Sequence, residues 1–412
     1  MKKLPLLKPG RSYWLLALMS GLASQALAST AHIAQPWRAD AVVQGRDEAY
    51  NTERFLHELT FRHRQPLPSA TDNGIRGTAG SVSSRRLYFD FRYRQDFDFR
   101  DQQNGFVLDI QRSEDLDGAY ERQLVGFRHT FKEQTEVWIQ GDVFSDKAES
   151  DIYFSARHHL NERNWLHASW ILPDYYFNDK TDSADRFDTK PQSFFLQWHH
   201  QGNSETEGST ISLNLTPDSR FISQSEALTV ESESQKLALT HRQQSGAWLW
   251  NLHIEGERSR RDYALRGPGE NLSTDFQRDH IYAQGSMTLS EHRLLPTAGL
   301  AYRHLDESGF FGRELNDQGQ IRRREPTVFG EITLQTSPTT TVNPGLYLSA
   351  PDISQSLEQA GDRRHSGFTS KLALPIEIQL SRTDQAVLTF NPTVYLHKAA
   401  FGGGNLQLHW PL

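Results

Sequence analysis

Apolar and polar side chains alternate with a period of two through most of the chain. At the C-terminal end, Leu406, Leu408, Trp410 and Leu412 alternate with Gln, His and Pro. Successive side chains of a β-strand point to opposite faces of a sheet, so each such segment has one apolar and one polar face. No amphipathic helix of period 3.6 runs through these segments. The pattern therefore predicts an all-β protein.

Eighteen segments carry the alternation, and most have about ten residues, the length that a tilted strand needs to cross a bilayer. Three prolines, Pro344, Pro375 and Pro392, lie inside predicted strands. Proline gives no ladder hydrogen bond, so either bulges are expected there or the true count is 16. The predicted strands are 54–64, 85–95, 105–113, 121–131, 134–144, 150–160, 163–173, 191–201, 207–216, 228–242, 246–257, 278–289, 293–304, 324–335, 338–350, 366–380, 385–397 and 404–412.

The alternation fits two architectures, and the connection lengths distinguish them. A soluble sandwich or propeller buries the apolar face, whereas a transmembrane barrel turns it to lipid and has short periplasmic turns and longer outer loops. If the first predicted strand runs outward, every predicted connection above fifteen residues falls on the outer side, namely 65–84, 174–190, 258–277 and 305–323. The sequence therefore predicts a single antiparallel transmembrane β-barrel.

The N-terminal residues have the three parts of a secretory signal peptide. A leader with four Lys and Arg residues precedes an apolar stretch, and Ala26-Leu27-Ala28 is a small-x-small cleavage signal. The segment after it has no strand pattern. It is expected either to extend into the periplasm as a mobile tail or to plug the barrel mouth. The predicted division is a signal peptide over 1–28, an N-terminal periplasmic segment or plug over 29–53, and the barrel over 54–412.

Over 54–412 the chain resembles a Gram-negative outer-membrane β-barrel protein. Its terminal strand, Leu406 to Leu412, is similar to the C-terminal signal that the barrel-assembly machinery of this class reads. The usual last residue is aromatic, so Leu412 departs from that pattern, and Pro411 before it is unusual. The resemblance implies an outer-membrane location, contact with lipid and lipopolysaccharide, and the assembly machinery as a partner.

The composition and motifs of the chain exclude several classes of protein and site. The absence of cysteine excludes a disulfide scaffold and thiolate metal sites. A net charge of −7 argues against a nucleic-acid partner. There is no G-x-S-x-G elbow and no P-loop. The adjacent histidines at 158–159 and 199–200 point to opposite strand faces, so neither pair can chelate one metal. The sequence predicts no catalytic residue, metal or cofactor.

A barrel this wide has an aqueous interior unless something fills it. The leading prediction is a porin-like channel that passes a polar solute or exports a polymer such as a polysaccharide. The alternative is a non-transporting barrel, either a structural or assembly component or a surface hydrolase; His167 and Ser169, which face inward on one strand, fit lumen wall better than a hydrolase site. Inward aromatics can stack on sugar rings or fill space; they are Tyr88, Tyr153, Phe195, Tyr282, Tyr347 and Tyr395.

Charged inward positions are the candidates for lumen lining, although cross-strand pairs that only stabilise the wall have the same pattern. The candidates are Asp90, Arg92, Arg128, Asp142, Arg157, Glu255, Arg303, Lys371 and Glu377.

Overall fold

The chain folds into one antiparallel sheet that closes on itself. A computed structural model describes residues 52–62, 73–83, 86–100, 103–115, 118–132, 134–143, 150–180, 185–204, 207–223, 228–267, 270–290, 294–310, 318–357, 361–380 and 386–411. In these residues there are two helices and 24 strand segments. Four wall strands are interrupted and account for ten of the segments, so the barrel has 18 strands.

The helices are α1 (Thr52–Arg62) and α2 (Phe177–Lys180). The strands are β1 (Gly74–Ser83), β2 (Arg86–Asp98), β3 (Asn104–Asp115), β4 (Gly118–Phe131), β5 (Thr135–Asp142), β6 (Ile152–Asn161), β7 (Asn164–Leu172), β8 (Arg186–Thr189), β9 (Ser193–Gln201), β10 (Gly208–Ile222), β11 (Leu228–Ser245), β12 (Trp248–Gly267), β13 (Glu270–Leu289), β14 (Pro296–Phe310), β15 (Gln318–Ile332), β16 (Leu334–Ser337), β17 (Thr340–Val342), β18 (Gly345–Ser349), β19 (Asp352–Leu357), β20 (Gly361–Ser366), β21 (Thr369–Ala373), β22 (Ile376–Gln379), β23 (Val387–Tyr395) and β24 (Ala400–Pro411).

Closure is made by the first and last strands. β1 pairs with β24 from Gly74 opposite Pro411 to Ser81 opposite Gly404. The other wall strands pair with their chain neighbours, as in β12 with β13. The predicted single antiparallel barrel of 18 strands is confirmed. We call the end at Gly74 and Pro411 the proximal end and the opposite end the distal end.

The three prolines flagged in the sequence sit where the strands break or shift. Pro344 separates β17 from β18, Pro375 separates β21 from β22, and the β23–β24 register shifts after Pro392. Each proline carbonyl still accepts a backbone N–H from the neighbouring strand, and these bonds come from Ile332, Asn343 and Leu374 at 3.1, 2.8 and 3.0 Å. The three prolines therefore interrupt adjacent strands while backbone hydrogen bonds continue across them, as expected for proline in a closed sheet.

The predicted first strand, 54–64, is wrong. Those residues lie largely in helix α1, and the first wall strand is β1, inside the predicted loop 65–84. In α1 the apolar residues Phe55, Leu56 and Leu59 follow helical rather than strand spacing. β1 is rich in Gly, Ser and Thr, so its faces differ little in polarity and leave no alternation to detect. The predicted count of 18 strands was correct because the helix that was counted as a strand compensated for the missed strand β1.

The predicted outer loop 258–277 is also wrong. β12 and β13 continue through it as a hairpin, with only two residues between Gly267 and Glu270. Outward positions here are charged, as in Arg258, which is 70 % exposed at its side chain. The apolar alternation ends where the strand leaves the lipid-facing band, although the ladder does not. The longest connection between wall strands, 173–185, lies at the distal end, on the predicted outer side.

The outer face of the wall is apolar and the inner face is polar. Leu300 is 65 % exposed, whereas its neighbour Ala301 on the opposite face is 4 % exposed. Among the described residues, no helix is long and apolar enough to cross a membrane. Other large apolar side chains exposed on the outside are Leu87, Ile139, Leu237, Trp250, Ile281, Phe390 and Phe401.

Candidate functional site

Helix α1 lies against the inner face of the barrel. Its side chains Phe55, Leu56 and Leu59 are at most 2 % exposed. They form one apolar cluster with residues from six neighbouring wall strands, and the wall members are Tyr282, Ala301, Phe329, Tyr347, Ala373 and Tyr395. One face of the helix thus packs an apolar surface against the inner wall.

Polar side chains tie α1 to the wall. His57 Nε2 lies 2.6 Å from the Tyr88 hydroxyl, and Asn391 Nδ2 donates to Thr60 Oγ1 at 3.0 Å. Thr52 Oγ1 donates to Glu325 at the start of the helix. The partners come from β2, β15 and β23. With the apolar cluster, the contacts span the wall from β13 through the closure to β2, about half the circumference.

Four of the six predicted inward aromatics hold the helix. Tyr282 meets the Phe55 ring edge-on at 6.0 Å, Tyr88 contacts His57, and Tyr347 and Tyr395 belong to the apolar cluster. The sequence pattern placed these rings inside correctly, but their neighbour is a segment of the same chain. Periodicity along a strand cannot show what occupies the space in front of it.

The other two aromatics, Tyr153 of β6 and Phe195 of β9, lie on the side of the wall that α1 does not contact in the described structure. The Phe195 ring is 5.8 Å from the His167 ring, and the Tyr153 hydroxyl is 3.3 Å from Asp151. His167 Nε2 is 2.8 Å from Ser169 Oγ, which is 2.8 Å from Ser155 Oγ. A Ser–His nucleophile needs a third group to orient the histidine. In the described part of the chain, His167 Nδ1 has no hydrogen-bond partner, so the orienting acid of a hydrolase is missing there.

Most of the charged lining candidates are in ion pairs between wall strands; these strands are adjacent except for Arg128 of β4, whose partners lie on β2, across β3. Each candidate lies on the strand face opposite the exposed apolar side chains. Five of them pair as follows: Arg92 with Asp109 at 2.5 Å, Arg128 with Asp96 at 3.6 Å and with Asp98, Arg157 with Glu136 at 2.5 Å, Glu255 with Lys236 at 2.9 Å, and Arg303 with Glu325.

The remaining candidates have other surroundings. Lys371 is fully buried, with Nζ 5.2 Å from the centre of the Tyr395 ring, and Glu377 accepts from Asn343 Nδ2 at 3.2 Å. Asp142 is 6 % exposed, and Asp90 lies opposite Thr78 of β1. Their role as lining of a conducting path stays a prediction.

A neutral polar patch on the inner wall was missed by sequence reasoning. Trp138, Ser155, Ser169, Phe195 and Asn214 are cross-strand neighbours from β5 to β10. In the described residues, four buried polar atoms in and beside this row have no hydrogen-bond partner: Trp138 Nε1, Gln140 Nε2, Gln197 Oε1 and Asn214 Nδ2. Amides carry no motif, and only inward placement on adjacent strands could have revealed them.

The chain matches no protein-family model and no curated protein. Among solved structures, it is similar to the outer-membrane protein OpdK of Pseudomonas aeruginosa, with 12 % identity over 82 % of this chain and 97 % of that one and a TM-score of 0.43. It is similar to OccK2 (OpdF) of the same organism, solved with glucuronate, with 14 % identity over 83 % and 99 % and a TM-score of 0.42. It is similar to OccAB3 of Acinetobacter baumannii, with 10 % identity over 82 % and 98 % and a TM-score of 0.44.

Proposed function

We propose that the protein is an outer-membrane channel for a polar solute and that helix α1 gates it. The observation that carries this proposal is that the wall closes without the helix. The β1–β24 ladder completes the sheet, and α1 supplies side-chain contacts to the wall rather than a strand of it. The helix can therefore leave its place without opening the barrel.

The inner surface suits a polar solute without a large net charge. Wall cations such as Arg92, Arg157 and Arg303 each face an acidic partner, which compensates their charge locally. The neutral patch around Trp138 offers both hydrogen-bond donors and acceptors. Buried polar groups are normally hydrogen-bonded, and a passing polar solute or water would supply such partners.

The location follows from the surface and the strand order. The apolar outer face is the surface that a barrel presents to lipid. Both ends of the barrel sequence, Gly74 and Pro411, lie at the proximal end, so we place that end in the periplasm. The distal hairpins then lie outside, among lipopolysaccharide. β24 is the strand that the assembly machinery would recognise. Signal-peptide cleavage after Ala28 falls outside the described residues and remains part of this proposal.

Single-channel recording in planar bilayers tests the function. We would compare refolded protein over 29–412 with a version that lacks 29–62, after confirming folding of both by heat-modifiable electrophoretic mobility. We expect rare or small openings from the first protein and steady conductance from the second. Steady conductance in both would support the channel and reject α1 as its gate. Silence from both inserted barrels would reject the channel and favour a structural or assembly role.

A further inference from the structure

Three potential metal ligands meet on the inner face of the β12–β13 hairpin. Glu255 and Glu257 are two residues apart on β12, and therefore share a face, and His280 of β13 lies directly opposite Glu257. One ligand atom from each of the three side chains lies within 4.8 Å of the other two. A shared metal ion requires each ligand to move only modestly, because ligand atoms lie about 2 Å from a zinc ion.

The two carboxylates are held by neighbouring cations. Lys236 Nζ lies 2.9 Å from Glu255 Oε1, and Arg278 Nη1 lies 3.8 Å from Glu257 Oε1. Arg278 is fixed in turn by Glu307 at 2.7 Å. Outer contacts of this kind orient the ligating carboxylates of metal sites.

A second histidine is oriented toward the same carboxylates. His253 Nε2 lies 3.8 Å from Glu255 Oε2, while its other ring nitrogen, Nδ1, lies 2.9 Å from Thr240 Oγ1. A metal-binding histidine usually donates a hydrogen bond from the nitrogen that does not bind the metal, and this bond fixes its tautomer. If Nδ1 carries the proton, the lone pair of Nε2 is directed toward Glu255.

We propose that Glu255, Glu257 and His280 bind a divalent transition-metal ion, with His253 as a fourth ligand. Imidazole nitrogen and carboxylate oxygen together suit zinc, whereas magnesium and calcium prefer oxygen alone. No metal was predicted here from the sequence, because the ligands are spread over two long strands and only the hairpin register brings them together. The proposal does not depend on the channel function.

The site adjoins the contact that seats helix α1. Tyr282, which packs on Phe55, is the residue opposite Glu255 in the ladder, and the His253 ring is 5.6 Å from the Tyr282 ring. A metal bound here would fix the strand positions on either side of Tyr282. Zinc is therefore expected to hold the helix more firmly in place.

Zinc binding to refolded 29–412 in detergent tests the site, measured by competition with a chromogenic chelator. We expect the unmodified protein to bind one zinc ion at least about tenfold more tightly than E257Q/H280Q, the range seen when a metal site loses its supporting groups. E136Q and H241Q are matched controls. Glu136 pairs with a wall arginine, as Glu257 does, and His241 is another strand histidine, in contact with a serine. They should bind zinc as tightly as the unmodified protein.

Two results would overturn the site: equal zinc affinity in the unmodified protein and in E257Q/H280Q, or an equal loss in the two controls. X-ray absorption of the zinc-loaded unmodified protein needs no variant and decides the matter if E257Q/H280Q does not refold. We expect imidazole and carboxylate ligands in its spectrum. A shell of water oxygens alone would reject the proposal.

Discussion

Asn391 of β23 donates a hydrogen bond to Thr60 of helix α1 at 3.0 Å, across 331 positions of the chain. Both side chains are buried. The bond joins the first described element to the last but one wall strand, so the seat of the helix is complete only when the C-terminal strands are in place. The seating of α1 and the closure of the barrel are therefore linked in this fold.

Replacing this pair by cysteines should lock the gate. The natural chain has no cysteine, so T60C/N391C would contain the only two thiols. We expect the oxidised variant to be silent in planar bilayers and to open after reduction, because the disulfide holds α1 against β23. Conductance before and after addition of a reductant measures the effect.

The matched control for this lock is S155C/S169C. These serines face each other across β6 and β7 with their oxygens 2.8 Å apart, on wall that α1 does not contact in the described structure. We expect this disulfide to form, and we expect the conductance of S155C/S169C to be the same before and after reduction. If the oxidised T60C/N391C protein conducts as well as this control, α1 does not block the path.

Removing the Tyr88 hydroxyl should loosen the helix without emptying its apolar seat. This oxygen lies 2.6 Å from His57 Nε2 and accepts from Asn405 Nδ2 at 3.2 Å. A neutral hydrogen bond contributes about 1 kcal/mol, so Y88F should raise the open probability roughly fivefold. Y302F is the control, because Tyr302 lies on the exposed outer face. Equal open probability in Y88F and Y302F would contradict a role for Tyr88 in the gate.

Gly299 is the position where an added methyl group should disturb the helix seat most directly. A Cβ there would collide with the Phe329 ring and lie 2.8 Å from the Gly285 carbonyl oxygen. Phe329 stacks on Tyr347 at 5.6 Å in the cluster beneath α1. We expect G299A to lower the free energy of unfolding by about 1–3 kcal/mol, the usual cost of overpacking.

The neighbouring Gly285 supplies the control for G299A. A Cβ at Gly285 would have no atom within 4 Å, so G285A should change stability by less than about 0.5 kcal/mol. Denaturant titration in lipid vesicles, followed by tryptophan fluorescence, measures both. Equal midpoints for the two variants would show that Phe329 can move aside at no cost.

The sequence predicted the barrel well because the lipid-facing band imposes alternation on each strand. Residues such as Ile139 and Leu300 must be apolar to face lipid, and this requirement is written in the local sequence. Beyond the band the requirement ends. Outward Arg258 and Arg260 break the alternation, and the distal halves of β12 and β13 appeared as a loop.

The contents of the barrel could not be predicted in the same way. Helix α1 is eleven residues long, and its three buried apolar residues are too few to establish a helical period by themselves. Its place inside the wall depends on contacts with Tyr282, Tyr347 and Asn391, which are distant in sequence. The pairing of Arg92 with Asp109 and the meeting of Glu257 with His280 likewise depend on strand register, which residue types do not reveal.

The buried ion pair between Arg122 and Asp151 should contribute more to stability than an exposed one. Arg122 Nε lies 2.6 Å from Asp151 Oδ2, and both side chains are at most 2 % exposed. Breaking one partner of a buried pair costs about 3–5 kcal/mol. D151N should lower the denaturant midpoint clearly. D352N, which breaks the exposed pair with Arg364, should not change it measurably. Equal denaturant midpoints for D151N and D352N would show that water screens the charge of Asp151.

Loss of the Arg92 charge should make the open channel more selective for cations. Arg92 Nε and Nη2 donate to both oxygens of Asp109, at 2.9 and 2.5 Å, and in R92Q that carboxylate would keep the weaker contact with Arg94, at 3.4 Å. One net negative charge is added to the wall, and K371Q should act in the same direction. The reversal potential in a salt gradient, measured on the version lacking 29–62, reports this change.

R364Q is the control for selectivity, because Arg364 is an exposed residue of a distal strand. Its charge is screened by salt over roughly 10 Å, so its removal should leave the reversal potential unchanged. A shift in R92Q and K371Q but not in R364Q would place both charges along the conducting path. The same reversal potential in all three variants would remove Arg92 and Lys371 from the lining and leave them as wall supports.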